Sequence, residues 1–444
     1  MSYSAYITTL KEIRPHSNAD RLNIATVFGQ DVIVDKTYYV GQKVIFFPSD
    51  GQLSERFATD NDLVSRKDEN GNKAGGYLDP KKRNIKPIRL RGERSEGMVL
   101  PVECLSKYGD ISSLKDGHAI NSFGGVEICC KYIPRKKYGR DYNDGEPRPK
   151  KQKHKREQKI QYPYFAEHID TEQLAYNQGA FHVGDTIYLT RKVHGTSQRT
   201  ANTYCIEKKQ NNLIRRVLHL KNKEWKGYKV VSGTRRRNLQ DYDGNGYYGS
   251  DKFREKWDKA FSEKLPKGCE IFYEVAGWVN ESTPVMASCS NKKVKDPEFV
   301  KQYGDTTVFS YGCPKGETRA FVYRMTWTNE DGEVFEVPTE VLFRWCDMNG
   351  FEHVPLLEKF LYTTWDDLQE RVKKYLDIPE PLANGTHVVE GVVARIDNRA
   401  KFTAFKDKSW AFKVLEGIIK DEADAPDMEE MEGDLDDEDV LQEG

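Results

Sequence analysis

Three short segments that combine apolar residues with a charged side chain constrain the fold of this 444-residue chain most strongly. Residues 186–192 alternate apolar and polar side chains and end on Lys192, just before a turn marked by Gly195. Two further runs, 271–277 and 388–394, are apolar except for one glutamate each. Short runs of this composition predict buried β-strands. Burial of a carboxylate inside such a strand costs free energy unless a cation or hydrogen-bond donors contact it. These glutamates therefore indicate a functional site, and the alternative is that they face water on an edge strand.

A fourth segment, 405–413, places Lys406 and Lys408 on one face of a strand by its period of two. Neighbouring ammonium groups repel each other, so an anionic ligand is the natural reason for the pair. Desolvation and nearby cations lower the pKa of a lysine and make its neutral amine a nucleophile, which suits the position of Lys192. A nucleophilic amine, two carboxylates and two lysines together indicate nucleotidyl transfer, although a solvated surface role stays open for each lysine.

The order of the segments carries a family resemblance. Residues 192–195, Lys-Val-His-Gly, resemble motif I of the covalent nucleotidyltransferases, which comprise ATP-dependent RNA and DNA ligases and mRNA capping enzymes. The later motifs follow in the family's order: Ia at 232–238, III at 273–277, IIIa at 309–312, IV at 390–393 and V at 406–408. His194 and Ser197 stand where DNA ligases often carry aspartate and arginine, and this favours the RNA ligase branch. The short segment after motif V also leads us to expect no C-terminal OB domain, unlike DNA ligases and capping enzymes.

The resemblance implies an ATP-dependent RNA ligase that joins 3′-hydroxyl and 5′-phosphate RNA ends in RNA repair or nick sealing. Lysyl-AMP and RNA-adenylate would be its intermediates. The implied catalytic residues are Lys192 as the nucleophile that carries AMP, His194 in the sealing steps, Lys406 and Lys408. The implied ATP-binding residues are Arg235, Arg237, Glu274 on the ribose, Phe309 (or Tyr311) on adenine, Glu390, Lys406 and Lys408. Glu390 is the implied ligand of Mg²⁺ or Mn²⁺.

The fold class expected is α+β, with an N-terminal OB-like β-barrel and an antiparallel-sheet nucleotidyltransferase domain. Short strands separated by Gly and Pro turns predict the barrel, and residues 13–22 are similar to the opening of OB-fold RNA-binding modules. The expected limits are 1–134 for the OB-like domain, 135–160 for a basic linker, 161–420 for the nucleotidyltransferase domain and 421–444 for an acidic disordered tail. Amphipathic or apolar patterns further predict helices over 253–264, 341–348 and 365–375.

Charge is distributed unevenly along the chain. Residues 421–444 hold 13 acidic and no basic side chains, which leaves 69 basic against 57 acidic residues, a net charge of +12, over 1–420. Residues 81–95 interleave basic and apolar side chains, and residues 135–159 carry 11 basic against four acidic side chains. This pattern indicates a body that binds a polyanion. The resemblance implies that the polyanion is RNA, including a nicked RNA or RNA–DNA duplex. The outer face of a barrel is the alternative for 81–95.

Composition excludes several other classes. No stretch of 18 apolar residues and no secretory signal is visible, so we expect a cytoplasmic protein with no membrane partner. Eight cysteines without a Cys-x-x-Cys pair indicate reduced thiols, not a zinc site or a disulfide framework. The alternatives that remain are another covalent nucleotidyltransferase (a DNA ligase or an mRNA capping guanylyltransferase) and a non-catalytic OB-fold RNA-binding protein.

Overall fold

The structure is a computed structural model, and it describes residues 3–49, 51–67, 73–132, 160–165, 168–169, 171–209, 223–235, 238–239, 242 and 251–416. Arg237, the basic linker up to residue 159 and the acidic tail lie outside these ranges, so their predicted roles are not addressed by it. The chain divides into two compact units. Unit 1 comprises residues 1–137, 174–180 and 417–426, and unit 2 comprises 138–173, 181–416 and 427–444.

Unit 1 consists mainly of short strands. Its strands β1–β15 are Ala5–Thr9, Glu12–Pro15, Leu22–Val27, Gln30–Asp35, Lys43–Phe47, Gly51–Leu53, Ser65–Lys67, Lys73–Gly75, Ile88–Leu90, Glu93–Ser95, Met98–Pro101, Ala119–Ile120, Ser122–Phe123, Val126–Glu127 and Cys129–Lys131. A single α-helix is described here, α1 over Glu55–Asp60, and Ser54 caps its N-terminus.

The strands of unit 1 pair as separate sheets. The order β11-β5-β1-β12 forms one sheet and β2-β3-β4 another, and the remaining described strands form two-stranded pairs. β5 is the central element, since Val44 and Phe46 face one apolar cluster while Ile45 and Phe47 face the other. A strand-rich unit is therefore confirmed, but the hydrogen-bonded pairs of the described residues do not confirm a single closed OB-like barrel.

Unit 2 contains longer strands and most of the helices. Its strands β16–β29 are Ile160–Gln161, Glu172–Gln173, Thr186–Lys192, Thr196–Lys209, Lys223–Gly233, Asn238–Leu239, Cys269–Gly277, Cys289–Ser290, Thr306–Thr307, Thr318–Thr328, Val334–Glu336, Leu356–Leu361, Gly391–Ile396 and Ala404–Lys408. Its α-helices α2–α6 are Lys252–Ser262, Pro297–Tyr303, Thr339–Asn349, Trp365–Lys373 and Trp410–Glu416. The three predicted helices are confirmed as α2, α4 and α5. Among the described residues, no helix is both long and apolar enough to cross a membrane.

Besides the two-stranded pair of β23 and β24, two sheets build the described part of unit 2. One has the order β21-β20-β19-β22-β25-β26, with β16 on β19, and the other has the order β17-β29-β28-β18-β27. Their pairings are antiparallel, apart from the parallel β17–β29 pair. β18 belongs to one sheet and β19 to the other, so the turn from Lys192 to Thr196 carries the chain from sheet to sheet. The predicted mixed α+β fold with antiparallel sheets is confirmed.

Strand register fixes what faces the start of this turn. Lys192 lies opposite Gly391 on β28, and Val393 of the same strand lies opposite Lys406 on β29. In the other sheet, Ser197 on β19 lies opposite Glu274 on β22. Residues separated by more than 200 positions in the chain thus meet around one turn.

Two glycines permit this packing. A Cβ atom on Gly195 would lie 2.6 Å from the carbonyl oxygen of Val275 on β22. A Cβ atom on Gly391 would lie 2.0 Å from the carbonyl oxygen of Asp407 on β29. Because both obstacles are strand backbone, a larger residue at either position would displace a strand.

Candidate active site

A cavity lies in unit 2 beside the turn between the two sheets. Its floor is formed by β18, β28 and β29, and the last two strands contribute alternate residues to it. The residues that line it are His168, Thr171, Thr190, Arg191, Lys192, Val193, Arg235, Glu274, Tyr323, Thr339, Phe343, Val354, Val393, Arg395, Phe402, Ala404 and Lys406. The structure therefore brings together four of the site residues predicted from sequence, namely Lys192, Arg235, Glu274 and Lys406.

Lys192 ends β18 and is paired with Glu390. Its Nζ lies 2.8 Å from Glu390 Oε1, with the lysine side chain 13% exposed and the glutamate fully buried. Gly391 follows Glu390 at the start of β28, and the backbone N–H of Ser409 donates to the carbonyl oxygen of Glu390 at 2.8 Å. The carboxylate is thus held in place beside the amine, and the expectation that a cation meets it is confirmed.

Lys408 belongs to the same group of buried charges. Its Nζ lies 2.8 and 3.0 Å from the two carboxylate oxygens of Glu416 and 3.6 Å from Glu390 Oε1. Lys406, two residues earlier on β29, lines the cavity and is only partly buried. Lys406 therefore faces the cavity, whereas Lys408 is buried between two carboxylates.

His194 lies in the turn itself and is 1% exposed. Its imidazole packs edge-on against Phe309 and Phe412, at 4.8 Å between ring centroids in each case. Its backbone N–H donates to the hydroxyl oxygen of Tyr311 at 2.7 Å. Burial raises the pKa of the Tyr311 phenol well above its usual range, as does the nearby Glu390 carboxylate, so this hydroxyl keeps its proton.

Phe309 and Tyr311, the candidates for adenine stacking, are core residues in the structure. They are 1% and 0% exposed, and neither is among the residues that line the cavity. Tyr311 adopts a left-handed backbone conformation (φ 49°), and Arg319 donates to its carbonyl oxygen at 2.8 Å. This placement differs from the one expected. Both side chains contact His194 of the turn, and their burial leaves no exposed ring face for a ligand.

Tyr323 is the aromatic residue that the sequence interpretation missed. It lies on β25, where Phe321 is paired with Glu274, and its side chain lines the cavity. Burial raises the pKa of its phenol, and the Glu274 carboxylate acts in the same direction. His168 lies across from it, with 6.1 Å between the ring centroids. None of the motifs includes Tyr323. The period of two in a strand nevertheless predicts that Phe321 and Tyr323 lie on one face and Val322 on the other.

Arginines occupy other parts of the cavity wall. Arg191 faces Glu380 with 3.8 Å between Nε and Oε2, and burial lowers the pKa of its guanidinium against the effect of that carboxylate. Arg395 pairs with Asp397 at 3.0 Å, and Asp397 also accepts from the backbone N–H of Thr339 at the start of α4. These pairs join β18 and β28 to neighbouring elements and keep cationic groups at the cavity.

Three buried groups could hold a divalent metal ion. Ligand atoms of His194, Glu390 and Glu416 all lie within 4.8 Å of one another. Glu416 was not predicted, yet it stands in the apolar run after Trp410, the same signal that marked Glu274 and Glu390. Two carboxylates and an imidazole suit Mn²⁺ or Mg²⁺, so the predicted metal ligand Glu390 has suitable neighbours.

Comparison with known proteins bears on the fold. No protein-family model and no curated protein sequence matches this chain. Among solved structures it is similar to Naegleria gruberi RNA ligase: a mutant with AMP and Mn aligns with 16% identity and a TM-score of 0.51, covering 92% of this chain and 97% of that chain. A mutant with ATP and Mn aligns over the same shares with 16% identity and a TM-score of 0.53, and the ligase with PPi gives 16% and 0.51. At this identity the likeness shows that the chain has the fold of these RNA ligase structures.

Proposed function

We propose that this protein is an ATP-dependent RNA ligase that joins 3′-hydroxyl and 5′-phosphate RNA ends through lysyl-AMP and RNA-adenylate intermediates. The observation that carries the proposal is the pair of Lys192 and Glu390, 2.8 Å apart, beside a cavity that also presents Glu274, Arg235 and Lys406. An amine beside a base, in a cavity with cationic walls, suits attack on a nucleotide phosphate. The shared fold with an RNA ligase supports the same assignment.

In the first step Lys192 Nζ attacks the α-phosphorus of ATP. Glu390 Oε1 lies within reach of the proton that the ammonium must lose before attack. The new bond joins Nζ to phosphorus, the bond to the bridging oxygen breaks, and pyrophosphate leaves with the electron pair. A 5′-phosphate of RNA then takes the AMP from Lys192, and a 3′-hydroxyl displaces AMP to close the phosphodiester.

The nucleotide-binding residues follow from the cavity lining. Glu274 would accept hydrogen bonds from the ribose hydroxyls, and Arg235 would contact the ribose or the acceptor end. Tyr323 replaces Phe309 and Tyr311 as our candidate for stacking on adenine, because its ring lines the cavity whereas theirs are buried in the core.

Lys406 would neutralise the α-phosphate oxygens, since it lies opposite Val393 on the cavity floor and is partly exposed. Glu390 would hold Mg²⁺ or Mn²⁺ directly or through its waters, beside the buried His194. The ion would supply positive charge against the phosphate oxygens.

Unit 1 is our candidate for the RNA-binding surface, with an OB-like role. In the hairpin of β9 and β10, Ile88, Arg89 and Leu90 are all exposed. A cation between aliphatic side chains suits the backbone and bases of RNA. Arg89→Glu should weaken RNA binding and leave lysyl-AMP formation unchanged, whereas the same change at exposed Lys301 should affect neither.

The deciding experiment is incubation with α-labelled ATP or α-labelled GTP and Mg²⁺ or Mn²⁺, followed by a denaturing gel. We expect label on the protein from ATP, its loss in Lys192→Ala, and its retention in Lys401→Ala, a matched change at an exposed lysine. Sealing of a nicked RNA duplex by the wild-type protein would then complete the assignment. Label from GTP alone would move it to a capping guanylyltransferase, and no label under any condition would refute an enzymatic role.

A further inference from the structure

Glu416 is the last residue of α6, and its carboxylate is directed at Lys408. We propose that Glu416 is a positioning residue that acts through Lys408 to keep the nucleophile Lys192 paired with Glu390. The inference deepens the proposed function and rests on it. It assigns a role in lysyl-AMP formation to a residue outside the motifs that the sequence marked.

The four charges form a row. Glu416 lies 2.8 Å from Lys408 Nζ, Lys408 lies 3.6 Å from Glu390 Oε1, and the same Oε1 lies 2.8 Å from Lys192 Nζ. Two ammonium groups thus approach one oxygen atom of Glu390, and Lys192 is the closer. Lys408 stays at the longer distance because both oxygens of Glu416 accept from it.

Removal of the charge of Glu416 changes this competition. Among these four groups, Glu390 would then be the carboxylate that remains for Lys408. The Lys408 ammonium would move closer to Glu390 Oε1, the oxygen that is paired with Lys192. A second ammonium bound there would draw Glu390 away from Lys192, and the lysine would lose the contact that fixes its position. Formation of lysyl-AMP would slow, although the nucleotide cavity itself would be unchanged.

Burial alone does not make this ion pair a stabilising feature of the fold. The side chains of Lys408 and Glu416 are 3% and 1% exposed, and a buried ion pair is often no more stabilising than apolar side chains of the same volume. α6 is nevertheless fixed so that Glu416 is held in place. Asp377 accepts from the backbone N–H of Ala411 at 3.0 Å near one end, and Lys293 donates to the carbonyl oxygen of Leu415 at 3.3 Å near the other.

A metal-ligand role for Glu416 is the competing interpretation, because His194 and Glu390 lie close enough to share an ion with it. Lys408 already supplies the cation at Glu416 in the structure, and this favours the positioning role. The two roles differ in their effect on metal dependence. Loss of a ligand raises the Mn²⁺ concentration that half-saturates the enzyme, whereas loss of a counter-ion to Lys408 does not.

The test measures single-turnover lysyl-AMP formation in the full-length protein as a function of ATP and Mn²⁺. For Glu416→Gln we expect a rate at saturating ATP about 10-fold lower, with half-saturating ATP and Mn²⁺ concentrations within about 2-fold of wild type. Glu416→Asp should recover part of the rate because it keeps the charge. The control is Glu370→Gln, which changes an exposed glutamate on α5 and should leave the rate unchanged.

A double-variant comparison makes the test specific. If Glu416 acts through Lys408, then Glu416→Gln should have no further effect in a Lys408→Met background. An equal additional loss in that background would overturn the proposal, as would a wild-type rate in Glu416→Gln or a raised Mn²⁺ requirement. Circular dichroism and thermal unfolding identify variants that fail to fold, and Glu416→Asp then serves as the test variant. A wild-type protein that forms no lysyl-AMP would instead refute the proposed function itself.

Discussion

The hydroxyl oxygen of Tyr311 accepts a hydrogen bond from the backbone N–H of His194 at 2.7 Å, and so ties the turn after Lys192 to a fully buried ring. The backbone of Tyr311 is itself held, because Arg319 donates to the Tyr311 carbonyl oxygen and is paired with Glu352. The position of the turn after Lys192 therefore depends on a residue more than 100 positions away in the chain.

Tyr311→Phe should slow lysyl-AMP formation by about 10-fold, since it leaves a buried N–H of the turn without its acceptor and removes no contact to the nucleotide. The half-saturating ATP concentration should stay within about 2-fold of wild type. The measurement is single-turnover labelling with α-labelled ATP. Tyr38→Phe removes a hydroxyl that donates to Val99 in unit 1 and is the matched control. An unchanged rate in Tyr311→Phe would mean that the bond does not position the turn.

Tyr323→Ala and Phe309→Ala should have opposite signatures. Loss of a stacking ring at Tyr323 should raise the half-saturating ATP concentration about 10-fold, and Tyr323→Phe should restore it. Phe309→Ala should instead lower the free energy of unfolding by about 3–5 kcal/mol, because it opens a cavity between His194 and Phe412. ATP titrations and denaturant unfolding of each variant provide the comparison. The reverse result would return Phe309 to the adenine site.

Gly195→Ala should displace the turn that follows Lys192. Its Cβ would lie 2.6 Å from the Val275 carbonyl oxygen, a backbone atom of β22 that cannot move without the strand. We expect a loss of about 1–3 kcal/mol in the free energy of unfolding and at least about a 10-fold slower formation of lysyl-AMP. Gly179→Ala is the control, since a Cβ there meets no atom within 4 Å. Wild-type behaviour of Gly195→Ala would show that the turn adapts freely.

The buried imidazole of His387 should make the protein acid-sensitive. Burial lowers its pKa to about 4 from 6.5, and its Nδ1–H donates to the carbonyl oxygen of Val388 at 2.9 Å. Because the unfolded chain binds the proton more readily, this stabilisation is present above pH 6.5 and is lost as the pH falls to about 4. The loss should amount to about 3 kcal/mol in the free energy of unfolding.

Denaturant unfolding between pH 7 and pH 4 measures this dependence. His387→Phe retains a ring between Phe309 and Tyr311 but does not titrate, so its stability should fall less steeply over the same range. His118→Phe, at an exposed histidine, is the matched control. Equal slopes for wild type and His387→Phe would assign the acid sensitivity to other groups.

Local sequence was sufficient to predict the elements that carry the site. The strands that hold Lys192, Glu274 and Lys406 follow from period-two patterns and charges in apolar runs, and the pairing of Glu390 with a cation follows from the cost of burying a carboxylate. The helices α2, α4 and α5 follow from their apolar patterns. These features depend on residues within a few positions of one another, so a single sequence is enough to predict them.

Tertiary structure decided which of several similar residues reach the cavity. The register of β22 against β25 brings Tyr323 to the cavity, whereas Phe309 and Tyr311 lie in the core, although all three are aromatic residues in the same part of the chain. The packing of α6 places Glu416 beside Lys408. The turn that connects the two sheets has no space for a Cβ atom at Gly195. The sequence thus determined the strands and their chemistry, whereas strand pairing between distant segments decided their neighbours, because such pairings depend on the packing of the whole unit.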